Sequence, residues 1–143
     1  MTAVSSRPIS ETPMKIFLSH SMSDRPLARN IAQGLVDLGF VVWFDEWDLQ
    51  PGENWAKAVG KALESADAMV VLVTPDSMQT WQREEIQYAL TTPRFEGRLI
   101  PVIVKSTPDI PWILETLNVV RPGRTAADTA QRIADALQPA AVG

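Results

Sequence analysis

The stretch AMVVLVT, residues 68–74, decides the fold of this chain. A short, continuous apolar run of this kind is typical of a strand that is buried on both faces of a sheet. A helix is predicted to follow within a few residues, over 79–90. On that helix Trp81 and Glu85 are four residues apart and therefore share one face. An aromatic ring beside a carboxylate, just beyond the end of a central strand, is where an α/β fold places ligand chemistry.

Strands and helices alternate along the chain on both sides of this stretch. Other β-rich runs predict strands over 15–19, 40–44, 98–104 and 117–120, and apolar residues at helical spacing predict helices over 24–38, 55–65 and 125–137. Such alternation implies a parallel sheet with helices on both faces. Right-handed crossovers then favour a flavodoxin-like α/β fold, with a five-stranded sheet in the order 2-1-3-4-5.

This strand order also predicts where a site lies. The order reverses between strands one and three, and ligands of such sheets bind outside the carboxyl ends of the strands at that switch point. The loops that leave these strand ends are 19–21 and 74–77, and the 45–54 loop leaves strand two nearby. The helix that carries Glu85 opens onto the same crevice.

The composition excludes several classes of site. The chain has 143 residues, of which 45% are apolar and 21% charged, as in an ordinary globular domain. The net charge is −4, so we expect no nucleic-acid surface and no contact with anionic membranes. The absence of cysteine excludes disulfides, thiolate zinc sites and a cysteine nucleophile. His20 is the single histidine, which leaves no His-rich metal cluster and no serine triad except one centred on it.

The first residues of the sequence do not resemble a secretory signal. Residues 1–13 are polar, with two prolines, three serines and two threonines, and lack the hydrophobic region of a secretory signal. We expect them to form a flexible arm, residues 139–143 a loose tail, and 14–138 the folded domain. No apolar run approaches the roughly 20 residues that a membrane-spanning helix needs. We therefore expect a cytoplasmic protein.

The usual ligand chemistries of flavodoxin-like folds do not fit this sequence. A nucleotide P-loop needs a glycine-rich turn that ends in Lys-Ser or Lys-Thr, and the chain has none. The dinucleotide fingerprint and the flavin phosphate cradle need glycine after strand one, but the turn there reads SHSMS, residues 19–23. A phospho-receiver needs an acidic pair after strand one and a lysine after strand five, and neither is present. We therefore expect no bound cofactor.

Several motifs in register resemble the Toll/interleukin-1 receptor (TIR) domain, most of all its small bacterial members. They are IFLSHS at 16–21, GFVVWFD at 39–45, LQPG at 49–52, and Trp81 with Glu85. The resemblance covers roughly residues 14–138. It implies that the catalytic glutamate of the enzymatic members falls on Glu85, and that the activity is cleavage of the nicotinamide–ribose bond of NAD⁺. Glu84, one residue earlier, should face elsewhere.

The resemblance also implies a nucleotide pocket around the strand-one turn. The candidate substrate-binding residues are Phe17, Ser19, His20, Ser21, Asp45 and Trp81. A single carboxylate suits the reaction, because nicotinamide leaves as a neutral molecule and needs no general acid. Glu85 would hold the ribose hydroxyls and stabilise the oxocarbenium charge. NAD⁺ is then a substrate rather than a cofactor, and no metal is required; the product stays open among ADP-ribose, a cyclic ADP-ribose isomer and a base-exchange product.

The 45–54 loop corresponds to the BB loop of the family, which contacts a neighbouring subunit. Trp47 and Leu49 are apolar side chains among acidic ones, and Pro51 and Gly52 follow them. Apolar residues in such a loop favour burial against another subunit, here a second TIR domain. A head-to-tail contact of this kind extends into filaments or open arrays.

Three functional interpretations stay open. The first is an NAD⁺-cleaving enzyme, in bacterial anti-phage signalling or NAD⁺ depletion. The second is a non-catalytic adaptor that only binds other TIR domains, and the third is a virulence factor that mimics host TIR domains. The pair of Trp81 and Glu85 favours the enzyme.

Overall fold

The structure, a computed structural model, describes residues 13–77, 82–105 and 112–137, except for the side chains of residues 112 and 113. Its strands and helices are β1 (Lys15–Ser19), α1 (Arg25–Asp37), β2 (Val41–Trp43), α2 (Asp45–Asp48), α3 (Trp55–Ser65), β3 (Ala68–Val73), α4 (Gln82–Leu90), β4 (Leu99–Ile103) and α5 (Ala126–Leu137). Single turns of 3₁₀ helix lie at Met22–Asp24, Pro93–Phe95 and Trp112–Thr116.

The four strands form one parallel sheet in the order β2-β1-β3-β4. β1 is central, and Phe17 in it lies between Trp43 of β2 and Met69 of β3. Every residue of β3 is buried, as its continuous apolar sequence predicts. The flavodoxin-like α/β class is therefore confirmed, and the carboxyl ends of β1 and β3 lie side by side.

The predicted fifth strand, 117–120, is wrong in its extent. Among the described residues of this segment, Val120 alone pairs with the sheet, through a parallel bridge to Val102. Val120 donates to the carbonyl of Pro101 (2.8 Å) and accepts from the N–H of Ile103 (3.1 Å). The N–H and C=O of a strand residue point the same way, so Pro101, which has no N–H, offers this outer edge no donor. Too few ladder bonds remain to extend the bridge into a strand.

Helices cover both faces of the sheet, as predicted. α1 and α5 pack on one face, and α3 and α4 pack on the other. α1 and α5 approach most closely at Gly34, where an added Cβ would lie 2.8 Å from the Cβ of Ala130. α4 packs through Ile86 and Ala89 into the same apolar cluster as Phe17, and this packing holds its first turns near the switch point.

The 45–54 segment, which we predicted to be a loop throughout, begins instead with the helical turn α2. The side chain of Asp48 accepts a hydrogen bond from the backbone N–H of Phe44 over 2.8 Å. The carbonyl of Phe44 in turn accepts from the backbone N–H groups of Trp47 and Asp48. These reciprocal bonds close one turn, which is too short to show helical periodicity in the sequence.

The second half of the segment is a turn around Pro51 and Gly52. The backbone N–H of Gln50 donates to the side chain of Glu53 over 2.8 Å, and the N–H of Glu53 donates to the carbonyl of Gln50. Gly52 has φ +81°, a left-handed conformation that favours glycine. The segment is therefore closed by its own hydrogen bonds at both ends.

The predicted arm, 1–13, and tail, 139–143, lie outside the described residues apart from Pro13, so their flexibility stays a prediction. Within the described ranges, no helix combines the length and the apolar character needed to cross a bilayer.

Candidate functional site

The candidate site is centred on Glu85, in the first turns of α4. Gln82 begins this helix, and its amide donates to the carbonyls of Leu72 (2.8 Å) and Ser19 (3.2 Å). Because these carbonyls lie at the ends of β3 and β1, Gln82 ties the start of α4 to the switch point. Glu85 follows about one turn later and is only 7% exposed, whereas Glu84 is exposed. The structure thus places the two adjacent carboxylates in opposite environments.

Glu85 is a buried acid with a short hydrogen bond. Ser19, itself buried, donates its hydroxyl to Oε1 of Glu85 over 2.7 Å. Burial raises the pKa of Glu85 to about 7, although the Ser19 hydrogen bond and the charge of His20 act in the opposite direction. Near neutral pH the group therefore lies between its acid and carboxylate forms. Perturbed groups of this kind cluster at functional sites.

His20 and Asp45 form a connected polar group beside Glu85. His20 Nε2 lies 2.9 Å from Oδ1 of Asp45, and Nδ1 lies 2.7 Å from the carbonyl oxygen of Ser21. Arg25, in the first turn of α1, donates to Oδ2 of Asp45 over 2.8 Å. Burial alone would raise the pKa of Asp45, but hydrogen bonds to His20 and Arg25 and their charges hold it below its usual value. Asp45 is thus an ionised carboxylate with both oxygens engaged.

These polar groups line a cavity with aromatic walls. Its volume is about 70 Å³, well below the roughly 300–1,000 Å³ of ligand pockets, and part of it is open to solvent. Trp43 stacks on Phe17 with ring centroids 5.0 Å apart and planes 6° apart, and Trp55 forms another part of the wall. Flat aromatic walls around an acid suit a ligand that combines a planar ring with a cationic centre.

An open groove continues from this cavity along the 45–54 segment. Cavity and groove share Met22, Asp45 and Trp55 in their walls. Leu49 and Pro51 line the part of the groove that belongs to the segment. The groove that adjoins the cavity is therefore lined by two of the four residues predicted to contact another subunit.

The structure brings most of the predicted substrate-binding residues together. Phe17, His20 and Asp45 line the cavity with Glu85, and Ser19 contacts that carboxylate directly. Both ring nitrogens of His20 already have partners within the protein.

Of the other two predicted substrate-binding residues, Ser21 lies elsewhere and Trp81 is not among the described residues. Ser21 does not line the cavity; its hydroxyl donates to Asp24 over 2.6 Å and lies 3.0 Å from that of Ser23. This pairing makes Ser21 part of the turn that follows β1. Trp81 lies outside the described residues, so its place on the face of Glu85 stays a prediction.

The predicted assembly residues are spread over the 45–54 segment. Trp47 is 41% exposed and packs one edge against Phe44, with ring centroids 5.2 Å apart and planes at 90°. Leu49 is half-buried, and Pro51 and Gly52 are exposed. Their surface is available for a contact, and their role in assembly stays a prediction.

Residues of the site that sequence reasoning missed include Trp43, Trp55, Gln82, Arg25 and Met22. Trp43 and Phe44 are adjacent on the predicted strand, so one of them must face the core, but the sequence does not say which one. In the structure Phe44 is fully buried and Trp43 faces the cavity. Nothing in the local sequence signals that Arg25 reaches Asp45. In the described part of the chain, no cluster of His, Cys, Asp or Glu side chains could hold a metal ion.

Two curated bacterial proteins are similar to this chain. The 2′ cyclic ADP-D-ribose synthase BtTIR of Bacteroides thetaiotaomicron is 28% identical over 97 residues, which cover 65% of this chain and 33% of that protein. The NAD(+) hydrolase PdTIR of Paracoccus denitrificans is 32% identical over 79 residues, which cover 54% of this chain and 26% of that protein. The chain therefore spans no more than about a third of the length of these relatives.

Similarity to a solved structure extends over most of the chain. The metazoan TIR-STING receptor from C. gigas, in complex with 2′,3′-cGAMP, is 27% identical with a TM-score of 0.70, over 90% of this chain and 42% of that one. The family model of the TIR domain matches residues 16–137, the span of the parallel sheet and its helices. The chain therefore belongs to the TIR domain family.

Proposed function

We propose that this domain cleaves the nicotinamide–ribose bond of NAD⁺, with Glu85 as the catalytic carboxylate. The observation that carries the proposal is a buried acid, bonded to Ser19, inside an aromatic-walled cavity at the switch point of the sheet. The names of the two bacterial relatives, one an NAD⁺ hydrolase and the other a cyclic ADP-ribose synthase, support the same substrate.

The chemistry needs one carboxylate. The bond between ribose C1′ and the nicotinamide nitrogen breaks, and its electron pair leaves with nicotinamide, which departs neutral. The ribose becomes oxocarbenium-like, and ionised Glu85 stabilises its positive charge. Water that bonds to C1′ and loses a proton yields ADP-ribose. A nucleophilic group of the ADP-ribose moiety that attacks instead, with loss of its own proton, yields a cyclic isomer.

The residues around Glu85 have separate roles in this proposal. Ser19 orients the carboxylate through its hydroxyl. The Trp43 and Phe17 stack and Trp55 offer planar surfaces to the substrate, and Trp81 remains a predicted stacking residue. Asp45 has both oxygens engaged by nitrogen donors, so it serves the site as a fixed partner of His20 rather than as a second acid.

We further propose that the working site includes a second copy of the domain. The cavity is small beside a dinucleotide, and it opens into the groove along the 45–54 segment. Trp47, exposed on that segment, and Leu49 and Pro51, which line the groove, are positioned to contact a neighbouring copy over the mouth. Burial of these side chains would exclude water from the cavity.

The biological setting that we propose is bacterial immune signalling or NAD⁺ depletion in the cytoplasm, where NAD⁺ is available. The alternatives are a non-catalytic adaptor and a host-mimicking virulence factor. Exposed Trp47 would serve an adaptor as well as an enzyme, so association alone does not separate them.

Incubation of the protein with NAD⁺, followed by chromatography of the products, tests the proposal. We expect nicotinamide to appear in equal amount with ADP-ribose or a cyclic isomer. Intact NAD⁺ at protein concentrations where the domain self-associates would instead support the adaptor.

A further inference from the structure

His20 is held in a geometry that only its doubly protonated form satisfies. Its Nδ1 lies 2.7 Å from the carbonyl oxygen of Ser21, and its Nε2 lies 2.9 Å from Oδ1 of Asp45. A carbonyl and an ionised carboxylate only accept hydrogen bonds, so each ring nitrogen must donate. A neutral imidazole has a single N–H and would turn one lone pair toward an oxygen. The imidazolium has two N–H groups and fits both partners.

The charge of this imidazolium lies beside Glu85 with little screening. The side chain of His20 is 3% exposed and that of Asp45 is 11% exposed. Glu85 is 7% exposed and lines the same cavity as His20. Charges that are largely withdrawn from solvent interact more strongly than charges on the surface, because water and salt screen them less.

We infer that His20 is a positioning residue for Glu85: its protonated ring, fixed by Asp45 and the Ser21 carbonyl, favours the ionised form of the buried carboxyl group against the effect of burial. The charge pair does not depend on the identity of the substrate. Its kinetic consequence rests on the proposed function, because it requires Glu85 to be the catalytic carboxylate.

The negative charges of the acidic groups near His20 are balanced by the positive charges of His20 and Arg25. Asp45 on α2 and Glu85 on α4 are acidic, and Arg25 on α1 is the second cation, bonded to Asp45 over 2.8 Å. Glu46 lies beyond Arg25, at 3.9 Å from its Nε. The other residues of the cavity wall and the ring of Phe44, at 5.3 Å, are uncharged, and Asp24 lies one step further away, bonded to the hydroxyl of Ser21. Loss of the His20 proton would therefore leave two acids facing one cation.

The direction of the pKa shifts agrees with this arrangement. Burial on its own would lower the pKa of His20, but its hydrogen bonds to Asp45 and the Ser21 carbonyl and the nearby acidic charges raise it above 6.5. The charge of His20 lowers the pKa of Glu85, against the raising effect of burial. The two groups thus stabilise each other's charged forms.

Nuclear magnetic resonance tests the inference without any need for turnover. His20 is the only histidine, so labelled imidazole gives a single, assigned titration curve. We expect the midpoint to lie above 6.5, with both ring nitrogens protonated at pH values below that midpoint. Asp45→Asn should lower that midpoint by about one unit or more, because it removes an adjacent opposite charge. Asp48→Asn is the matched control, since Asp48 lies on α2 but bonds to the Phe44 N–H.

A second titration follows Glu85 itself. With the glutamate carboxyl carbons labelled, the Glu85 signal is identified by its loss in Glu85→Gln. Its midpoint should rise by about one unit or more in His20→Gln, which is uncharged. If the chain cleaves NAD⁺, the acid limb of its kcat/KM profile should move up by the same amount, and activity should recover at higher pH.

Three results would overturn the inference. They are a wild-type His20 midpoint at or below 6.5, a Glu85 midpoint that His20→Gln leaves in place in the folded protein, and an unchanged acid limb in that variant. A wild-type midpoint at or below 6.5 overturns the inference even if His20→Gln fails to fold. If the chain does not cleave NAD⁺, both titrations can still be measured. The proposed function and this inference can therefore be contradicted independently.

Discussion

The hydroxyl of Ser19 donates to Oε1 of Glu85 over 2.7 Å, and this bond joins residues that are 66 positions apart. It links the carboxyl end of β1 to the first turns of α4, where Gln82 makes a parallel connection through the Ser19 carbonyl. Both groups are buried. The acid is therefore held by the sheet itself, at the point where the strand order reverses.

Replacement of Ser19 by alanine should impair Glu85 without removing it. The buried carboxyl would lose its donor, and a hydrogen bond to a charged group contributes about 1.5–3 kcal/mol. We expect kcat/KM for NAD⁺ at pH 7 to fall about tenfold or more and the acid limb to move to higher pH. Ser23→Ala is the control, because that exposed hydroxyl donates to Asp76 instead. Equal activity of the two variants would exclude a role for Ser19.

The raised pKa of Glu85 predicts a specific dependence of stability on pH. The folded state binds the Glu85 proton more tightly than the unfolded state, whose carboxyl titrates near 4.5. The resulting stabilisation is fully present below pH 4.5 and is lost as the pH rises to about 7. Above pH 7 the wild type should be less stable than Glu85→Gln by about 3 kcal/mol, and near pH 4 the two should be alike.

Urea unfolding of both proteins from pH 4 to 8 measures this difference. Subtracting the two curves isolates the contribution of Glu85 together with its coupling to His20 and Asp45. A difference that stays constant with pH would contradict a buried, perturbed Glu85.

The aromatic wall should contribute to substrate binding. Trp43→Leu removes a planar wall of the cavity, and an aromatic contact with a substrate ring contributes about 0.5–1.5 kcal/mol. We expect KM for NAD⁺ to rise about threefold to tenfold with a smaller change in kcat. Val41→Ala is the control on the same strand, since Val41 is 47% exposed and lies outside the cavity wall. An unchanged KM in Trp43→Leu would show that Trp43 does not contribute to substrate binding.

Assembly should control activity through the 45–54 segment. If a neighbouring copy covers the cavity, specific activity should rise with protein concentration, and Trp47→Ala or Leu49→Ala should abolish that rise. Val36→Ala is a matched control, because Val36 is an exposed apolar residue on α1, away from the segment. Flat specific activity over a hundredfold dilution, with a monomer by light scattering throughout, would indicate a self-sufficient site.

The sequence predicts those parts of the fold that depend on local pattern. The apolar run at 68–73 forms the fully buried β3, and helical spacing on α4 separates buried Glu85 from exposed Glu84. The fifth strand fails because pairing depends on what the neighbour offers, and Pro101 offers no donor at that edge. The length of the predicted fifth strand therefore depends on the hydrogen-bonding groups of β4, and not on the β-rich sequence of 117–120 alone.

Contacts between residues far apart in the chain were not predicted, although some of the residues that make them were named as candidates. Asp45 and His20 were both expected near the substrate, but their bond joins residues 25 apart, and no local signal shows it. α2 was missed because a single turn closed by the Asp48 side chain has no periodicity to detect. Trp43 was missed as a cavity residue because alternation with Phe44 does not say which ring faces inward.

The central claim is that Glu85 carries NAD⁺ cleavage, and the most direct test compares Glu85→Gln with Glu84→Gln. The substitutions are chemically identical and adjacent, but one alters a buried acid in the cavity and the other an exposed one. Nicotinamide release should be measured at a protein concentration where the wild type is active, with circular dichroism to confirm folding. We expect Glu85→Gln to lose all detectable turnover and Glu84→Gln to retain most of it. Equal loss in both variants, or full activity in Glu85→Gln, would contradict the assignment.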